Sequence, residues 1–290
     1  MAPHRLTRSP NLMYALGRGV LTGIGKRPAA GAPLPGTALV LPEARIEPSR
    51  VLRYARVCGF RETDPLPITY PHILGFPLAA RLLGDRDFPL PLLGLVHTGI
   101  EITQRRPLGP RDRPELRVRV PRLLPHRRGT EAEVITEARI GGETVWRDRS
   151  TYLARHRTSA PGPSAAPPGT TPASADPLPR AAEWPLDAGL GRRHAAVSGD
   201  WNPIHLHPLT ARPLGFPRAI AHGMWTFARC AAETGASGAE EVTVCAEFKA
   251  PVPLPSAVTY ARLGSAFELR GGRDGERLHL TGKVTTGHTI

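Results

Sequence analysis

Two stretches of the chain, 37 to 156 and 181 to 290, carry the same succession of hydrophobic patterns. The segments "IEPSRVLRYARVCGF" and "PLDAGLGRRHAAVSGD" each predict a helix that ends at a glycine, Gly59 and Gly199. Further on, "YPHILGFPLAARLLG" and "IAHGMWTFARCAAETG" each begin near a histidine, His72 and His222, and carry apolar residues at helical spacing up to another glycine. Next come "ITQRRPLGPRDRPELRVRV" and "AEFKAPVPLPSAVTYARL", each a strand, a proline break and a strand of period-two alternation. The closing segments predict hairpins that turn at Gly141-Gly142 and at Asp274-Gly275. A central helix followed by an antiparallel meander, occurring twice, predicts an α+β unit duplicated in tandem.

The first helices of the two units align without a gap when 140 is added to the number. This pairs Arg53 with Arg193, Ala55 with Ala195, Val57 with Val197 and Gly59 with Gly199. Between the units, residues 157–180 are almost wholly Pro, Ala, Ser, Thr and Gly, a composition that cannot bury a core and reads as an extended linker. The expected organisation is an N-terminal extension (1–36), a first repeat (37–156), the linker (157–180) and a second repeat (181–290). Within the extension, residues 11–25 predict a short amphipathic helix that either docks on the protein itself or touches a membrane or a partner.

Composition narrows the function classes. Lys plus Arg exceeds Asp plus Glu by 13, which favours polyanionic partners without naming one. The arginines are scattered and only 6% of residues are aromatic, so neither a basic block nor a stacking platform points to nucleic acid. Cys58, Cys230 and Cys245 stand far apart, which argues against a disulfide framework or a cysteine zinc site and for a reducing compartment. Charges and glycines interrupt the N-terminus too often for a secretory signal. Nothing later reaches the ~20 apolar residues of a membrane span, so the expectation is a soluble cytoplasmic protein.

Candidate chemistry gathers in "HAAVSGDWNPIHLHPLTA", residues 194–211. Where the second repeat has Asp200, Asn202 and His205, the first has Phe60, Glu62 and Pro65, so the polar cluster occurs once. Ser198 and Gly199 lead into the turn, with Gly199 allowing a left-handed backbone. Asn202-Pro203 sets a cap with Pro at the first helical position, which turns His205 back toward Asp200. Such a carboxylate and imidazole can share a water and exchange protons with a reacting group; equally, Asp200 and Asn202 can merely satisfy backbone donors while His205 packs. His205, His207 and His222 with Asp200 also offer the ligand types of a zinc site. Pro208 and Pro213, however, break the helix that would align further ligands, so no metal is expected. Downstream, His222-Gly223-Met224 opens an apolar helix whose first backbone N–H groups could receive a developing oxyanion, unless Gly223 serves only close packing. The motifs of serine hydrolases, P-loop hydrolases and dinucleotide oxidoreductases are absent from the sequence.

The stretch "SGDWNPIHLHPLTARPLGFPRAIAHGMW" resembles the hydratase-2 signature of MaoC-like (R)-specific enoyl-CoA hydratases and dehydratases, and "FKAPV" at 248–252 resembles the family's strand after the central helix. The first half resembles the diverged N-terminal repeat of two-domain members. The resemblance implies a double hot-dog fold, in which a central helix is wrapped by an antiparallel sheet and one chain imitates a dimer, so a monomer or a homodimer is expected. It implies hydration of trans-2-enoyl thioesters on CoA or on an acyl carrier protein's phosphopantetheine, or the reverse, without metal or redox cofactor. A hot-dog thioesterase and a non-catalytic acyl-binding subunit are the alternatives. Asp200 and His205 would then activate water, Asn202 would brace the turn, and the Gly223 N–H would bind the thioester oxygen. His194 stands where relatives often carry an aromatic residue, and Cys230 and Ala231 replace polar residues of some relatives. The first repeat, lacking the acid and the histidine, would shape the acyl tunnel, and its loss of polar groups would admit a longer or bulkier chain.

Overall fold

The computed structural model describes residues 3–26, 28, 31–158 and 177–287. Most of the linker expected at 157–180 lies outside the described residues. In chain order, β1 (His4–Arg5) and α1 (Leu12–Gly23) precede a first unit of β2 (Ala38–Leu41), α2 (Pro48–Cys58), α3 (Tyr70–Leu83), β3 (Val96–Gln104), β4 (Glu115–His126), β5 (Gly129–Ile140) and β6 (Glu143–Arg155). The second unit holds β7 (Arg180–Leu186), α4 (Leu190–Ser198), α5 (Pro208–Ala211), α6 (Gly223–Ala232), β8 (Val242–Phe248), β9 (Ser256–Leu263), β10 (Ala266–Gly271) and β11 (Arg277–Thr286).

All strands join one sheet in the order β1-β2-β4-β5-β6-β3-β8-β11-β10-β9-β7. Within each unit the order is first, third, fourth, fifth, second. The two units meet where β3 pairs antiparallel with β8, from Gly99 opposite Glu247 to Gln104 opposite Val242. This repetition of topology is the double hot-dog arrangement. The central helix α3 lies against β4 and β5, and α6 lies against β8 and β10. Their buried residues, among them Ile73, Leu78, Leu82, Phe227 and Ala228, belong to one core that runs through both units from Leu6 to Val284. The large ones, such as Ile73, Leu78 and Phe227, each contribute about 1.5–3 kcal/mol by leaving water.

Local sequence explains the framework. Gly59 and Gly199, matched across the repeat, both close their helices in the left-handed region, at φ of 79° and 87°. Gly141 and Gly142 take φ of 59° and 86°, the two positive values a tight hairpin turn requires between β5 and β6. The second hairpin is joined differently, through a 3₁₀ turn at Arg273–Gly275 that contains the expected Asp-Gly pair.

The units also cap one another. The indole of Trp225 donates to the Val57 carbonyl at 2.8 Å, while Arg50 Nε donates to the Val197 carbonyl at 2.9 Å and its Nη2 to Ser198 at 3.1 Å. The unpaired carbonyls at the end of each first helix thus receive a donor from the other repeat. The N-terminal segment adds to the first unit: β1 pairs in parallel with β2, and α1 packs on α3. Among the described residues no helix is long and apolar enough to cross a membrane.

Candidate active site

After Gly199 the chain makes a compact polar turn. The Ser198 hydroxyl donates to the His194 carbonyl at 2.8 Å and accepts the Asp200 N–H at 3.2 Å. Asp200 Oδ1 accepts the Asn202 N–H at 3.2 Å, and the Asn202 side chain caps the Ile204 N–H at 3.3 Å. Pro203–His205 form a single 3₁₀ turn instead of the first turn of a longer helix. The reason is Pro208, which holds His207 extended, at φ −156° and ψ 150°, and so interrupts helical continuation. Helix α4 passes so close to this turn that a Cβ on Gly191 would sit 1.8 Å from the His205 carbonyl oxygen. Only glycine allows that approach.

His205 is 8% exposed and His222 2% exposed, and their rings stack with centroids 3.7 Å apart. His205 Nδ1 lies 2.8 Å from the Ile220 carbonyl; because a carbonyl only accepts, Nδ1 carries the proton and Nε2 keeps its lone pair. His222 Nε2 likewise donates to the Asp200 carbonyl at 2.9 Å, leaving Nδ1 as a buried acceptor. Burial, then the neighbouring His222, push His205 down to about 3, partly offset by Asp200. Burial pushes His222 down to about 4. Both imidazoles are therefore neutral near pH 7. The Asp200 side chain keeps 27% of its exposure.

Donor atoms of Asp200, His205 and His222 all lie within 4.8 Å of one another, a spacing that a shared water or a cation could bridge. His207 stays outside this group. It is exposed, and its Nδ1 caps the Leu209 N–H at 3.2 Å. His194 is 1% exposed, tilts against His222 at 4.5 Å and has neither ring nitrogen paired among the described residues. Burial holds it, too, well below the ordinary histidine value.

Gly223 opens α6 behind the cap residue His222, and the first internal bonds run from the Trp225 and Thr226 N–H groups to the His222 carbonyl. The Gly223 and Met224 amides thus precede the helix's own bonding. A Cβ on Gly223 would lie 3.3 Å from the Phe248 ring, so a side chain here would press on that ring. Met224 is half-buried and packs on the core.

The first repeat lacks counterparts of Asp200 and His205 but holds buried polar groups of its own. His72, the counterpart of His222 at the start of its central helix, is buried and hydrogen-bonded to Asp148, which also accepts from Ser150 at 2.7 Å. His97 stacks on Tyr152 at 4.5 Å and meets Phe248 at 4.8 Å, so it approaches the ring that covers Gly223. Its Nε2 is buried without a partner among the described residues. Asp200 is among the charges that push Tyr152 up, after burial and Asp148. The first repeat therefore brings polar as well as apolar side chains beside Phe248.

Residues 165–270 match the MaoC like domain family. Over 223 residues, 77% of this chain and 79% of the relative, the chain is 38% identical to 3-hydroxyacyl-thioester dehydratase X of Mycobacterium tuberculosis. The chain belongs to the MaoC-like dehydratase family. The crystal structure of HtdX from M. tuberculosis superposes with a TM-score of 0.73 at 33% identity, covering 85% of this chain and 98% of that one. A MaoC-like dehydratase from Phytophthora capsici shares the fold at 17% identity, with a TM-score of 0.72 over 90% of this chain and 99% of its own. A further M. tuberculosis protein described as a double hotdog fold matches at 0.52 and 11% identity, over 89% and 94%.

Within this MaoC-like chain, sequence inspection missed Arg50, Gly191 and Ile220. Gly191 stands in the quoted helix, but nothing local announces a carbonyl against its Cα. Arg50 lies 147 residues from the carbonyl it caps, a distance across which no sequence pattern is visible.

Proposed function

We propose that this MaoC-like dehydratase interconverts (R)-3-hydroxyacyl and trans-2-enoyl thioesters carried on CoA or on an acyl carrier protein, with Asp200 and His205 as the acid–base pair. The observation that carries this is the convergence of a partly exposed carboxylate on a neutral imidazole whose tautomer is set by Ile220, so that the Nε2 lone pair is free for a proton. In the hydration direction, Asp200 and His205 hold a water whose oxygen adds to C3 of the enoyl thioester. The pair removes one water proton and delivers a proton to C2, which conserves every atom. Charge that builds on the thioester oxygen falls to the Gly223 N–H, where the start of α6 favours a negative charge. Dehydration is the same path reversed. The excess of 13 cationic side chains supports a polyanionic carrier, since CoA and carrier proteins are both acidic.

The test follows the loss of conjugated-thioester absorbance when crotonyl-CoA and longer trans-2-enoyl-CoAs meet the purified protein, with chiral analysis of the product. Formation of the (R)-3-hydroxyacyl thioester is expected. Failure to hydrate any enoyl thioester, on CoA or carrier protein, overturns the proposal, and release of free thiol would identify a thioesterase instead.

A further inference from the structure

Helix α1 is fixed to the protein by one face and leaves an apolar face outward. On the inner side, Ala15 and Gly19 are buried, and a Cβ on Gly19 would lie 2.3 Å from the Leu92 side chain and 3.0 Å from the Gly84 Cα. Thr22 donates to the Gly84 carbonyl at 2.8 Å, and Lys26 Nζ to the Asp85 carbonyl at 2.7 Å. Docking is therefore complete without the opposite face.

That opposite face carries Met13 (57% exposed), Tyr14 (73%), Val20 (41%), Leu21 (71%) and, at the helix end, Ile24 (77%). At 100° per residue these five fall within about a third of the helix circumference. They are half of the large hydrophobic side chains exposed among the described residues, which separates a formed stripe from the scattered single residues usual on protein surfaces. Beside the stripe a cleft of about 460 Å³ is lined by Arg18, Leu21, Thr22, Ile24 and Arg86, so cations border the apolar side chains, Arg18 in an exposed 3.6 Å pair with Asp85.

We propose that α1 docks on an anionic lipid surface, with Met13, Tyr14, Val20, Leu21 and Ile24 entering the headgroup–acyl boundary and Arg18 and Arg86 meeting lipid phosphates. A helix lying in the membrane plane needs this combination of apolar face and cationic flank. A second copy of the chain is a poorer occupant, because pairing like faces would bring the arginines of two strongly cationic molecules together. The docking has a consequence for the site. Leu12, at the start of α1, lies 2.9 Å from where a Cβ on Gly199 would be, so the membrane-facing helix touches the turn that carries Asp200.

The experiment is co-sedimentation of the full chain with vesicles of phosphatidylglycerol and phosphatidylcholine, compared with phosphatidylcholine alone, across a salt series. Binding to the anionic vesicles that weakens with salt is expected. Leu21→Glu/Ile24→Glu should bind at least ~10-fold less, and Arg18→Glu/Arg86→Glu should also lose binding. All four side chains sit at the surface, so unchanged turnover of a soluble short-chain enoyl-CoA is expected of both variants and unchanged thermal unfolding of Leu21→Glu/Ile24→Glu, while Arg18→Glu also gives up a 3.6 Å ion pair with Asp85. The proposal is overturned by absence of binding to anionic vesicles, by equal binding to the neutral ones, or by undiminished binding of Leu21→Glu/Ile24→Glu. A wild-type dimer that this double variant splits into monomers would overturn it too, by assigning the face to a second copy. Because soluble-substrate turnover is measured separately, failure here is distinct from failure of the dehydratase assignment.

Discussion

Asp200 and His205 are held by the backbone rather than by each other. The carboxylate is oriented by the Asn202 N–H and the imidazole by the Ile220 carbonyl, so each keeps a second polar atom for the water of the proposed reaction. Asp200→Asn and His205→Ala should each lower turnover by at least ~100-fold, measured by enoyl-thioester absorbance, while thermal unfolding confirms that the variants fold. The depressed histidines also set a pH dependence. His205 and His222 titrate at about 3 and about 4 when folded, below their ordinary value near 6.5, so between these limits the unfolded chain binds more protons. Their contribution to stability is complete above pH ~6.5 and is lost as pH falls toward their folded values. Thermal unfolding from pH 8 to 5 should show stability declining below ~6.5, whereas the acidic limb of the rate should lie lower, because folded His205 is still neutral there.

At the scale of elements, the polar turn with Asp200 lies at the seam between a helix from one repeat and a guanidinium from the other. Arg50 of α2 donates to the last carbonyls of α4, at Val197 and Ser198, immediately before the left-handed Gly199 and then Asp200. Arg50→Ala should free the end of α4 and lower kcat on the order of 10-fold or more with a smaller change in KM, because a small displacement of the acid–base pair is costly to the rate. Arg50→Lys, which retains a donor, should recover part of the loss. The mirrored bond from Trp225 to Val57 holds a helix whose turn has Phe60 and Pro65 where the second repeat has Asp200 and His205.

At the scale of the molecule, the duplicated units share one sheet and one core. The three cysteines are free and buried, and burial raises all three thiols. A maleimide should label them slowly in the native protein and rapidly once it is unfolded by denaturant, a difference that mass spectrometry reads directly. Periodicity and punctuation made much of this architecture legible beforehand. Gly59, Gly199 and the Gly141-Gly142 turn are local commitments of the backbone, and the alternating strands carry their own face pattern. The polar turn was legible for the same reason, since Ser198, Asp200, Asn202 and His205 act within a few residues of one another. What residues 194–211 left undecided was long-range. The pairing of β3 with β8, the stacking of His222 on His205, the exclusion of His207 and the approach of His97 and Tyr152 to Phe248 join segments far apart in the chain. Contacts of that kind follow from how the sheet closes around its helices, and no local propensity encodes them. Sequence thus determined the repeated α+β units and the polar turn that holds the proposed acid and base; tertiary packing decided which histidines are neutral, which are neighbours, and which face of α1 remains uncovered.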